Sequence, residues 1–169
     1  MKLQLLHTTA LLAAASIAFA QSPAATASAN VGGKTVTIAY SSPQVNGRAG
    51  KLFGKDGRIG QDRNYPVWRA GANTSTKLTT SGDLDIGGLT VPKGEYTLYV
   101  DLSDPDNWQL IVNKQTGQWG LTYNKAQDLG RVKMSMSKPA AMVEGLKYTI
   151  AGGKLTLEWE NKSASVAVK

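Results

Sequence analysis

A chain of 169 residues with no cysteine and a single histidine, His7, forms no disulfide and is left with few thiol or imidazole routes to catalysis. Its 19 Lys and Arg residues against 12 Asp and Glu give a formal charge of +7, which biases it toward anionic surfaces. The basic residues are mostly scattered rather than gathered on one aromatic-lined face, which argues against a nucleic-acid binder.

Residues 1–20 carry Lys2, an apolar and small-residue core from Thr9 to Phe19, and Ala18-Phe19-Ala20 as a small-x-small cleavage site, the pattern of a secretory signal peptide. That core falls short of the about 20 apolar residues a membrane helix needs. His7 lies inside this removable segment, and the mature chain carries no transmembrane stretch. Export to the periplasm or the outside of the cell is expected, and the lack of cysteine excludes a lipid anchor on that residue. Residues 21–30, rich in Ala, Ser and Thr, read as a flexible lead-in to a single domain over 31–169.

Alternation then dominates. Val36, Ile38 and Tyr40 share one face of a strand, as do Tyr96, Leu98, Val100 and Leu102, and then Trp108, Leu110 and Val112. Val132, Met134 and Met136 repeat the pattern, followed by Tyr148 and Ile150, by Leu155, Leu157 and Trp159, and by Val166 and Val168. Asp104-Pro105-Asp106-Asn107, Gly152-Gly153 and Glu160-Asn161-Lys162 supply hairpin turns, and Gly87-Gly88 and Pro92-Lys93-Gly94 mark others. No segment sustains helical spacing, so the spacing predicts an all-β, antiparallel β-sandwich of about nine strands with little helix.

Several positions carry a resemblance. Gly47-Arg48, Leu52-Phe53-Gly54, Trp68-Arg69-Ala70-Gly71-Ala72-Asn73 followed by Thr76, Pro92-x-Gly94-x-Tyr96-x-Leu98, Trp108-x-x-Ile111-x-Asn113-Lys114, Trp119-Gly120, and Tyr123 through Asp128 to Arg131-Val132 occur in that order. The chain resembles the domain of unknown function 2911 family, a group of exported bacterial proteins, over nearly the whole mature region. The resemblance implies export and carries no activity. The Tyr65-Pro66 order before Val67 departs from the family's form.

Trp68 to Asn73 is the sharpest chemical signal. Small residues and a glycine let backbone or ligand approach closely, while Arg69 offers a planar fork of donors and Asn73 a mixed donor and acceptor suited to a carboxylate or a sugar hydroxyl. The architectural alternative has Trp68 filling the core, Arg69 pairing with a carboxylate such as Asp128, and Asn73 serving a turn. The loop 47–69 adds Arg48, Lys51, Lys55, Arg58 and Arg63 against Asp56 and Asp62, with five glycines, Gly47 among them, before Val67, and reads as a mobile, basic connection able to meet an anionic polymer. It lacks the spacing of a phosphate-cradling glycine loop. Lys114, Trp119 and Tyr123, in a polar segment, are further candidates for the contact surface, since aromatic faces stack on sugar rings.

Other chemistry finds less support. Asp101, Asp104 and Asp106 with Asn107 do not match an EF-hand and read as a turn, so no metal or cofactor is expected. Ser135-Met136-Ser137-Lys138 matches a Ser-x-x-Lys pattern poorly, and no catalytic residue is assigned. The leading expectation is a non-catalytic exported module binding a glycan or anionic polymer in the cell envelope through Trp68, Arg69, Asn73, Lys114, Trp119 and Tyr123. A glycan hydrolase using two of Asp83, Asp85, Asp128, Glu144, Glu158 and Glu160 is one alternative, and a purely structural envelope protein is another.

Overall fold

Strands form readily where every second residue finds an apolar partner across a layer, and the computed structural model, which describes residues 22–169, contains thirteen strands. The expected leader, residues 1–20, lies outside the described residues. In chain order the strands are β1 (Ala24–Val31), β2 (Lys34–Ser41), β3 (Val67–Trp68), β4 (Thr76–Thr80), β5 (Leu84–Ile86), β6 (Leu89–Val91), β7 (Gly94–Asp101), β8 (Gln109–Asn113), β9 (Asp128–Lys133), β10 (Ser135–Ser137), β11 (Val143–Ala151), β12 (Lys154–Glu160) and β13 (Lys162–Ala167). The only helical turns among the described residues are the 3-10 segments Ile59–Gln61 and Lys125–Gln127. No helix among them is long and apolar enough to cross a membrane.

One sheet runs β1-β2-β4-β7-β8-β9, with β3 also on β7, and the other runs β10-β13-β12-β11, all antiparallel. Val36, Ile38, Leu78, Leu98, Val100, Leu110 and Val112 from the first sheet meet Leu146, Tyr148, Leu155, Leu157, Ala164 and Val166 from the second, every one buried. Each such aliphatic side chain contributes about 1.5–3 kcal/mol of transfer free energy. The β5–β6 hairpin ties into the second sheet through the Ile86–Val168 bridge, and β1 packs beside β11 on the other flank.

The sandwich is as expected, but four local readings change. Residues 24–30 of the expected flexible lead-in join Val31 in β1, paired with β2 from Ala24–Ser41 to Val31–Lys34, because backbone bonding to an edge needs no large side chains. The Val132–Met136 run divides at Met134, whose N–H bonds to the Trp108 carbonyl at 2.9 Å, so the chain leaves one sheet as β9 and joins the other as β10. On β7 and β8, Thr97, Tyr99, Ile111 and Asn113 are buried on the outward face as well. Thr97 and Tyr99 donate there to the Gln115 and Thr122 carbonyls at 2.7 and 3.2 Å, so the segment after β8 folds back over the sheet.

The fourth change concerns the basic loop, which is packed rather than mobile. Leu52 and Ile59 are buried in the common core, and Phe53 inserts among Trp68, Trp108 and Trp159 with ring centroids 5.7, 5.2 and 5.8 Å away. The Val45 N–H bonds to the Glu144 carbonyl at 2.8 Å, and the Glu160 carboxylate accepts from the Gly50 N–H. Leu52→Ala is therefore expected to cost about 2–5 kcal/mol in denaturant unfolding. A loop lying free on the surface would give a change within about 0.5 kcal/mol.

Candidate functional site

β3 and β4 lie end to end along one side of β7, since Trp68 pairs with Val100 and Thr76 with Leu98, so the chain between them must leave the ladder. It does so with left-handed backbone at Ala70 (φ 47°) and Asn73 (φ 59°). For a residue with a side chain this conformation costs of order 1–3 kcal/mol and persists only where neighbours hold it. The Ala70 carbonyl accepts from the Tyr148 hydroxyl at 2.9 Å and from Thr76 Oγ1 at 3.1 Å, while the Asn73 carbonyl accepts from the Gly120 N–H at 2.9 Å. Between them Gly71 is required, because a Cβ there would lie 2.6 Å from Thr76 Oγ1.

This turn forms one wall of a cleft of about 200 Å³, with the basic loop opposite and Trp68 and Trp159, stacked at 5.8 Å, beneath. Arg48, Arg58, Asp62, Arg69 and Asn73 line it, and Ser22 borders it. Arg48 is committed to the fold, donating from Nε to the Val45 carbonyl at 2.9 Å and from its terminal nitrogen to the Gln44 carbonyl at 2.6 Å. Arg58 and Arg69 make no ion pair among the described residues. Burial pulls the Arg69 guanidinium below its ordinary value, Asp62 opposes that, and Arg58 adds to it. Arginine stays charged regardless, so the cleft carries a half-buried fork of charged donors without an ion-pair partner among the described residues.

One family model, described as a protein of unknown function (DUF2911), matches residues 22–168. The chain belongs to the DUF2911 family. No curated protein and no solved structure matches it.

In this DUF2911 chain the six residues expected at the contact surface separate. Trp68, Arg69 and Asn73 meet at the cleft, although Trp68 is almost wholly buried in the core. Trp119, half exposed, bridges Thr74, and its neighbour Gly120 lies against the Arg69 side chain, so it adjoins the cleft without lining it. Lys114 is exposed elsewhere, and Tyr123 packs edge-on against Tyr99 at 4.9 Å on the outer face of the large sheet. Arg48, Arg58 and Asp62 are the lining residues not singled out individually, although the charge excess of loop 47–69 pointed to their neighbourhood.

Asp128, a candidate partner of Arg69 under the architectural alternative, pairs instead with Arg131. Its guanidinium bonds Asp128 at 3.2 Å, Asp101 at 2.6 Å and the Tyr123 hydroxyl at 2.8 Å, and that hydroxyl donates to Asp128 at 2.7 Å. The register that sets Arg131 opposite Ile111 places it on the outer face, beside Asp101 rather than toward Arg69. Asp104 accepts from the Asp106 N–H and from Asn107 within its own turn.

The network titrates at both ends of the pH scale. Burial raises the Asp101 carboxyl, but the Ser103 hydroxyl and N–H together with Arg131 outweigh it and hold Asp101 below the usual range. Burial, aided by Asp128, pushes the Tyr123 hydroxyl up to about 12 against the pull of Arg131. A lowered carboxyl stabilises the fold above its unfolded value of about 4 and loses that contribution as pH falls through its folded value. A raised phenol stabilises below its unfolded value of about 10 and loses that contribution as pH climbs through its folded one. Denaturant unfolding across pH is expected to show an acid decline reduced in Asp101→Asn and an alkaline decline reduced in Tyr123→Phe. Profiles parallel to the parent's would contradict the assignment. Separately, Gly71→Ala is expected to lower stability by about 1–3 kcal/mol, read from the same unfolding curves.

Proposed function

We propose that this DUF2911 chain is an exported, non-catalytic binding protein of the cell envelope whose cleft holds the acidic groups of a glycan or other anionic polymer. The observation that carries this reading is the pair Arg58 and Arg69, two guanidinium groups lining one concavity without an ion-pair partner among the described residues. A partly desolvated charge without a partner is costly, and an incoming carboxylate relieves that cost with charge-assisted, bidentate bonds. The strained turn that presents Arg69 and Asn73 adds weight, because such backbone clusters at ligand sites.

Glycan hydrolysis asks for two acids about 5–10 Å apart across a groove. Asp62 is the one carboxylate lining this cleft, whereas Glu158 pairs with Lys147 at 3.1 Å and Glu160 caps the Gly50 N–H. Binding therefore suits the lining better than hydrolysis does.

Calorimetric titration with oligogalacturonate, a polyanion of carboxylated sugars, tests the reading. Affinity is expected to fall with added salt, and Arg58→Ala and Arg69→Ala are each expected to weaken it about tenfold or more, in keeping with about 1.5–3 kcal/mol for a hydrogen bond to a charged group. Arg58 is exposed, so its variant tests binding apart from folding. Equal affinity in parent and both variants, or binding indifferent to salt, would remove the proposal.

A further inference from the structure

The geometry points to a second ligand site on the other flank of the basic loop, one suited to a small arene carboxylate. Between that loop and the β7–β8 turn lies a groove of about 400 Å³, within the range of small-molecule sites. Phe53, Tyr65, Leu102, Pro105 and Trp108 give it an apolar, ring-rich lining, and Lys55 and Lys162 are the charged groups there. No carboxylate lines this groove, and neither lysine makes an ion pair among the described residues. A smaller hollow of about 210 Å³ continues from it through the shared Pro105 and Lys162, adding Met136, Lys138 and Asp106.

Two features select the occupant. Aromatic walls favour a flat ring system, which stacks offset or edge-on against Phe53 and Tyr65 and displaces water from apolar surface. Two unpaired ammonium groups on the same groove select an anionic head over a neutral one, since an ion pair beside a low-dielectric wall is stronger than one in open water. The site is distinct from the arginine cleft: Phe53, in the rings that separate the two, lines only the groove, and no residue lines both.

Calorimetric titration of the full mature chain with 2-naphthoate, and with 2-naphthalenemethanol as its uncharged counterpart, tests the assignment. The acid is expected to bind at least about tenfold more tightly than the alcohol, and the double variant Lys55→Gln, Lys162→Gln to abolish that preference while leaving affinity for the alcohol unchanged. Arg69→Ala is expected to leave naphthoate binding intact, so failure of the arginine cleft and failure of this groove give different results. Equal affinity for acid and alcohol would overturn the proposal. So would a preference lost in Arg69→Ala but kept in the lysine variant, or no naphthoate binding tighter than about 1 mM.

Discussion

Phe53 sits at the junction of everything that gives this molecule shape at one end. Its ring contacts Trp108 and Trp68 from the large sheet region and Trp159 from the small sheet, so a residue of the basic loop closes the seam between two layers. Edge-on and offset aromatic pairs each add about 0.5–1.5 kcal/mol beyond the area they bury. The stack of Trp68 on Trp159 backs the arginine cleft, and Trp108 with Phe53 backs the lysine-rimmed groove. Without that wedge the loop would have no reason to lie where Arg58 and Lys55 flank it, and neither concavity would keep its wall.

The same end of the molecule concentrates the features that cost stability. Ala70 and Asn73 occupy left-handed backbone, Glu160 does so in the turn that grips Gly50, and three arginines share a cleft with one carboxylate. Elsewhere some charges are paired: Lys77 reaches Glu95 at 3.0 Å, and Arg131 is held by Asp101, Asp128 and Tyr123. One arginine is thus satisfied three times over while Arg58 and Arg69 make no ion pair among the described residues, the contrast on which the proposed binding role rests.

Strands whose inward positions are large and apolar were readable in advance, among them β2, β7, β8, β11, β12 and β13, together with the turns that join them. β4 escaped because its inward residues are Thr76, Leu78 and Thr80, and a lone leucine between threonines gives no apolar alternation. β1 escaped for a related reason, its Ala, Ser and Thr residues being held by ladder bonds that no side-chain pattern announces. Trp68, Arg69 and Asn73 stood out because a glycine between two alanines, flanked by polar side chains, signals unusual backbone. Lys114 and Tyr123 line no part of the cleft, and the sequence does not reveal this because which face a returning loop covers depends on long-range register. Arg58 and Asp62 were visible only as a charge balance, because their meeting with Arg69 requires Leu52 and Ile59 to be buried first.

Ser22 borders the cleft, whereas Lys169 lines a hollow with Val31 and Gly32 at the opposite end of β1, roughly 26 Å away for a strand of eight residues. Ser22 and Lys169 are thus unequal as points of attachment. A fluorophore, surface tether or fusion partner joined at Lys169 sits away from the arginines, while the same group attached at Ser22 crowds the entrance they share.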